Sequence, residues 1–195
     1  MKKFSIVVIL VSTIVSLTSC KKEVTSGTES GGNYGSNPRA TVPDELVGYW
    51  LTGTSSIGNF WGYDGSYQGP AYEMATGYRF FRDGKAKQYF YYTSTSYYCR
   101  QQILGYREGT VVFDVNNKTF KFFAASGNYR RYDGCGSSQT PGFGETKQYG
   151  SQDLYPTKTF EYNSWSLVQE NGKTIWRIPF SDGSRSDYVK STEPQ

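Results

Sequence analysis

Between residues 46 and 190, apolar side chains recur at every second position over short runs, and Gly, Asp and Asn cut the runs apart. That period of two predicts half-buried strands, and no window carries the longer apolar stripe of a helix. Residues 46–53 form the first expected strand. Residues 76–82 follow, with Tyr78 and Phe80 on one face. Asp83-Gly84 is a two-residue hairpin signal, because both residue types tolerate positive φ, and it leads into 85–93. Residues 97–107 and 109–115 read as two further strands, the second with Val111, Phe113 and Val115 on one side. Asn116-Asn117 turns into 118–125, where Phe120, Phe122 and Ala124 share a face, and Ser126-Gly127 turns into 128–133. After a long loop come 158–169, the turn Glu170-Asn171-Gly172, 173–180, the turn Asp182-Gly183, and 185–190. Consecutive strands on short connections are antiparallel neighbours. A meander of this length leaves two edges unless it closes. The expected fold is therefore all-β: an up-and-down meander closing into a barrel of 8–10 strands, with a two-sheet sandwich as the alternative.

Two connections are too long to be turns. Residues 54–75 hold Trp61, Tyr63, Tyr67 and Tyr72, and residues 134–156 hold Phe143 and Tyr149. Long loops in compact domains are commonly functional, and this aromatic content argues against plain disorder. Counted along the meander they are the first and seventh connections. Both are odd, so both are expected at one end. The six aromatics are the candidate ligand-binding residues of that rim.

Composition changes the picture mainly at the N-terminus. Met1-Lys2-Lys3 is a positive start, 4–15 is an apolar core, and Leu17-Thr18-Ser19-Cys20 ends it. The core is shorter than the roughly 20 apolar residues a spanning helix needs. The ending resembles the bacterial lipoprotein signal, a Leu and two small residues before a Cys. The resemblance implies removal of 1–19, acyl chains on Cys20, and attachment to the cell envelope. With Lys21 rather than Asp after the Cys, the outer membrane of a Gram-negative bacterium is the expected site, on either face. Several acyl chains on one residue make a stable anchor where a single chain would not. Residues 20–41, rich in Gly, Ser, Thr and Asn, read as the tether, and 42–195 as the folded domain. Of three cysteines, lipidation occupies Cys20, which leaves Cys99 and Cys135 as a disulfide pair for an oxidising compartment. Both fall at the end expected for the long loops.

Charge and chemistry then exclude more than they assign. Five of the 21 basic and two of the 17 acidic residues precede residue 42, so the domain carries 16 and 15 and no basic face for nucleic acid. The chain has no His. That removes the commonest general base and the Ser-His-Asp arrangement, and the cysteines do not space as metal ligands. No Gly-rich phosphate loop is present. Asp64, Glu73, Asp133, Glu145 and Asp153 lie in or beside the long loops and are read as solvated charges rather than a catalytic pair. No catalytic residue, metal or cofactor is expected.

Gly48-Tyr49-Trp50, just after Asp44-Glu45-Leu46, resembles the G-x-W motif of lipocalins, and the Asp-Gly hairpins with the late Trp165 and Trp176 strands are similar to bacterial lipocalin-like lipoproteins. The resemblance implies that Trp50 packs across a closed barrel end and that the other end opens onto an apolar cavity. Two functions follow as expectations. One is a carrier of a small apolar ligand inside the barrel. The other is a glycan- or protein-recognition module using Trp61, Tyr63 and Tyr67 as flat platforms on the rim, and a barrel filled with side chains would instead make the chain a structural lipoprotein.

Overall fold

The computed structural model describes residues 31–55, 59–61, 67–96, 99–134 and 144–191, with backbone alone for 55, 59–61 and 67–70. The segment expected to be a signal, Cys20, Tyr63, Cys135 and Phe143 lie outside the described residues, as do the side chains of Trp61 and Tyr67. The strands are β1 (Gly48–Ser55), β2 (Asn59–Trp61), β3 (Tyr67–Pro70), β4 (Tyr72–Phe80), β5 (Lys85–Ser96), β6 (Cys99–Asp114) and β7 (Thr119–Asp133). They continue with β8 (Lys147–Gln148), β9 (Phe160–Tyr162), β10 (Ser166–Glu170), β11 (Lys173–Pro179) and β12 (Arg185–Ser191). Among the described residues the single helical element is a 3-10 turn, Ser151–Asp153.

Ten strands form one antiparallel sheet in the order β10-β11-β12-β1-β4-β5-β6-β7, with β8 and β9 both pairing with β7. β2 and β3 form a separate hairpin between β1 and β4. The turn chemistry falls where the sequence places it. Gly84 (φ +81°) closes β4 to β5, Asn171 and Gly172 (φ +52° and +71°) close β10 to β11, and Gly183 (φ +82°) closes β11 to β12.

Four expected strands are two long ones. Residues 97–107 and 109–115 run on as β6, and 118–125 and 128–133 run on as β7. Glu108 stands opposite Ser126 and Gly109 opposite Ala124, so Ala125 is an extra residue in β7. The glycines that resemble turn residues serve this bulge. A Cβ on Gly109 would run into the Phe123 carbonyl, and one on Gly127 into the Tyr106 carbonyl. Conversely, 158–169 is two short strands, β9 and β10.

The sheet is rolled. Trp176 on β11 and Phe120 on β7 are separated by six strand steps, roughly 29 Å in a flat sheet at about 4.8 Å per step. Their ring centroids are 5.2 Å apart, and Trp176 also reaches Tyr162 on β9 at 6.1 Å. The ladders stop short of a ring, because among the described residues none joins β9 to β10.

One end of the roll is filled. Trp50, Tyr78, Phe80, Phe120, Phe122 and Trp176 are fully buried there, with Val42 and Leu46 folded across the end. Trp50 Nε1 donates to the Leu46 carbonyl at 2.7 Å. Gly48, at φ +127°, takes a conformation that L side chains rarely adopt. At the other end the register brings Ser55, Glu73, Thr93, Gln102 and Tyr132 to one level. Both long connections therefore leave from a single rim, and Cys99 opens β6 beside them. They are the first and fifth connections of the sheet, not the first and seventh. Merging two pairs of strands removes two connections and leaves the parity unchanged.

Residues 33–40, assigned from sequence to the tether, lie along β6 and β7. The Asn33 amide donates to Glu108 Oε1 (2.6 Å), Ser126 Oγ to the Asn33 carbonyl (2.9 Å), and the Ala40 amide to the Val111 carbonyl (3.2 Å). Tyr34 is buried, edge-on to Phe81.

Candidate functional site

The rim-side half of the concave face is not filled. Inward positions follow from alternation: Thr76 on β4, Gln88 and Phe90 on β5, Ile103, Gly105 and Arg107 on β6, and Tyr129 on β7. All of these except Gly105, with Phe160 and Tyr162 of β9, Tyr188 of β12, and Tyr149, Asp153 and Lys158 from the second long loop, line a cavity of about 500 Å³. That size suits one small organic molecule.

Arg107 sits at its wall, 8% exposed. Its Nη1 donates to Gln88 Oε1 at 3.3 Å, while its Nε has no hydrogen-bond partner. The guanidinium lies 4.0 Å from the Tyr149 ring centroid and 5.2 Å from that of Phe160, so two π faces stand in for solvent. Gln88 Nε2 passes the network on to Tyr78 Oη (2.7 Å). Tyr78, Tyr162 and Tyr188 then meet hydroxyl to hydroxyl at 3.4 Å each. Burial, with the neighbouring tyrosines, pushes the Tyr78 and Tyr188 phenols well above their usual range, so they remain neutral donors.

Tyr149 is placed by a short pairing and a missing side chain. β8 adds to the free side of β7, and the Tyr149 amide donates to the Gly127 carbonyl at 3.0 Å. The ring turns inward onto Tyr129 (centroids 5.3 Å apart). Its hydroxyl occupies the space above Gly105, where a Cβ would stand 2.5 Å away. Burial raises the Tyr149 phenol above its usual range, and the Arg107 charge partly opposes that.

The other expected site residues scatter. Tyr72 lies at the inward rim, 5.6 Å from Tyr92 and outside the cavity lining. Trp50 and Gly48 are at the filled end. Arg130 and Arg131 face opposite sides of β7. Arg131 pairs with Asp133 at 2.9 Å, and Arg130 reaches an exterior groove of about 300 Å³ with Tyr49, Leu51, Tyr89, Leu104 and Tyr106. Of the loop carboxylates, Asp153 lines the interior cavity, Asp133 and Glu145 line a rim hollow, Glu73 takes an outward position on β4, and Asp64 lies outside the described residues.

Sequence reasoning missed Gln88, Arg107 and Tyr129. The signal was present: counted inward from Phe80 and Ala86, alternation puts Gln88 on the core face. A strand continued through Gly105 puts Arg107 on the face of Ile103. The expected break at 108 separated that face from Val111 and Phe113, which mark it as inward. Comparison of the chain with protein-family models, with curated proteins and with solved structures finds no match in any of the three.

Proposed function

We propose that this protein is a lipid-anchored, non-enzymatic carrier that holds one small, largely apolar molecule in the cavity at the rim-side half of its sheet. Closure between β9 and β10 into a lipocalin-like barrel belongs to the same reading, and the contacts of Trp176 with β7 and β9 support it. The observation that carries the reading is the hollow itself. The turn-side half of the same face is packed solid with aromatics, while a loop aromatic, Tyr149, folds over an empty rim-side half. The anchor on Cys20, the outer-membrane address and the Cys99–Cys135 disulfide complete the proposal. The platform alternative rests on Trp61, Tyr63 and Tyr67, whose side chains lie outside the described residues.

Native mass spectrometry of protein purified from its own membrane tests the carrier. A discrete co-purifying mass, released on denaturation, is expected. A clean apoprotein mass, with no uptake from a lipid extract, contradicts it. The Cys20→Ala variant is expected to lose acyl labelling; continued labelling removes the anchor from the account.

A further inference from the structure

A buried cation is costly unless an opposite charge and hydrogen bonds compensate it. Arg107 has neither in full. Among the described residues no carboxylate lies within ion-pair distance of it. Of its guanidinium donors, one is spent on Gln88, and Nε has no acceptor. The two aromatic rings against it offer π faces but no acceptor atom. Asp153 lines the same cavity without pairing with Arg107, and Lys158 lines it too, so the lining carries two cations to one carboxylate.

The rest of the wall is of another kind. Phe90, Ile103 and Tyr129 present apolar surface beside the guanidinium. A charged fork at one side and apolar surface at the other describe the complement of an amphiphile. Resting on the carrier reading, we infer that the ligand is a small organic anion, its carboxylate-like head on the Arg107 guanidinium and its apolar body against Phe90, Ile103 and Tyr129. The anionic group supplies the acceptors that Arg107 lacks and neutralises the excess positive charge of the wall. The planar guanidinium suits a two-oxygen head, which a bidentate pair fixes in orientation as well as energy.

Two dyes that share a scaffold test this. 1-Anilinonaphthalene-8-sulfonate carries an anionic group, and N-phenyl-1-naphthylamine is its neutral counterpart. Titrated into the full-length protein and followed by fluorescence, the anionic dye is expected to bind at least about tenfold more tightly, the scale of one charge-assisted hydrogen bond. In Arg107→Leu the preference for the anionic dye over the neutral one is expected to disappear; in Arg107→Lys part of it returns. Displacement of the neutral dye by decanoate but not by decanol repeats the test on the unaltered protein, independently of how any variant folds. Equal affinity for both dyes, or equal displacement by acid and alcohol, overturns the anion inference and leaves the carrier reading standing. Failure of both dyes and both displacers to bind overturns the two together.

Discussion

Strands β4 to β7 each contribute to two halves of one concave face, and the halves are built on different terms. Toward the turns, the inward side chains are Tyr78, Phe80, Ala86, Val111, Phe113, Phe120 and Phe122, all buried, with Tyr78 and Phe80 each edge-on to rings of the facing strands. Toward the rim, on the same strands, Thr76, Gln88, Arg107 and Tyr129 stand around a hollow, and Gly105 leaves room for the Tyr149 hydroxyl. A chain selected for stability alone would extend the aromatic packing upward. Instead, three polar side chains, Thr76, Gln88 and Arg107, and a glycine occupy inward positions there, where they forgo packing and, for Arg107, retain an unmet donor. The turn-side half holds the fold and the rim-side half is kept for an occupant.

That contrast is open to direct attack. Trp176 touches rings from β1, β4, β6, β7, β9 and β12, so Trp176→Ala is expected to cost about 3–5 kcal/mol, read from denaturant midpoints. A cost below about 1 kcal/mol would mean that the rolled core is not what holds the sheet. Enlarging a filled site is next. Ala86 lies beside Phe80 in the register and is fully buried, and Ala86→Phe is expected to cost about 1–3 kcal/mol. If it is neutral, the turn-side half is looser than described.

A smaller effect belongs outside both halves. Arg177 on β11 grips Asp187 on β12 through two bonds of 2.8 Å, with Glu170 adding a third contact at 2.9 Å. Those bonds hold the Asp187 carboxyl below its usual range. A carboxyl depressed by folding stabilises above its unfolded value, near pH 4, and that contribution is lost as pH falls through the lower folded value. Asp187→Asn is expected to cost about 1 kcal/mol at pH 7. The difference from the native chain should close as the pH drops below about 4. A gap that persists at acid pH would assign the effect to packing rather than charge. Substitutions here are expected to leave ligand binding untouched.

How far the sequence reveals this division depends on which residue speaks. Tyr78, Phe80, Phe120 and Phe122 announce the packed half through alternation alone, and Asp83-Gly84 and Asn171-Gly172 announce their turns. Gly109 and Gly127 mislead, because a glycine that lets a bulge pass a carbonyl is indistinguishable along the chain from one that ends a strand. That error divided β6 and β7 and concealed Arg107 on an inward face. Gly105 carries a second meaning that no local pattern contains: the room it leaves is filled by Tyr149, more than forty residues later. Sites assembled by such long-range complementarity become visible only once the register is known.

The central claim is that the rim-side hollow is a binding site rather than a packing fault. Ile103→Trp fills it from an inward position of β6. Measured together, the denaturant midpoint and the titration with N-phenyl-1-naphthylamine separate the two meanings. A stability change under about 1 kcal/mol, in contrast to overpacking at Ala86, is expected together with loss of dye binding. Dye binding that survives the filled cavity, at unchanged affinity, would contradict it.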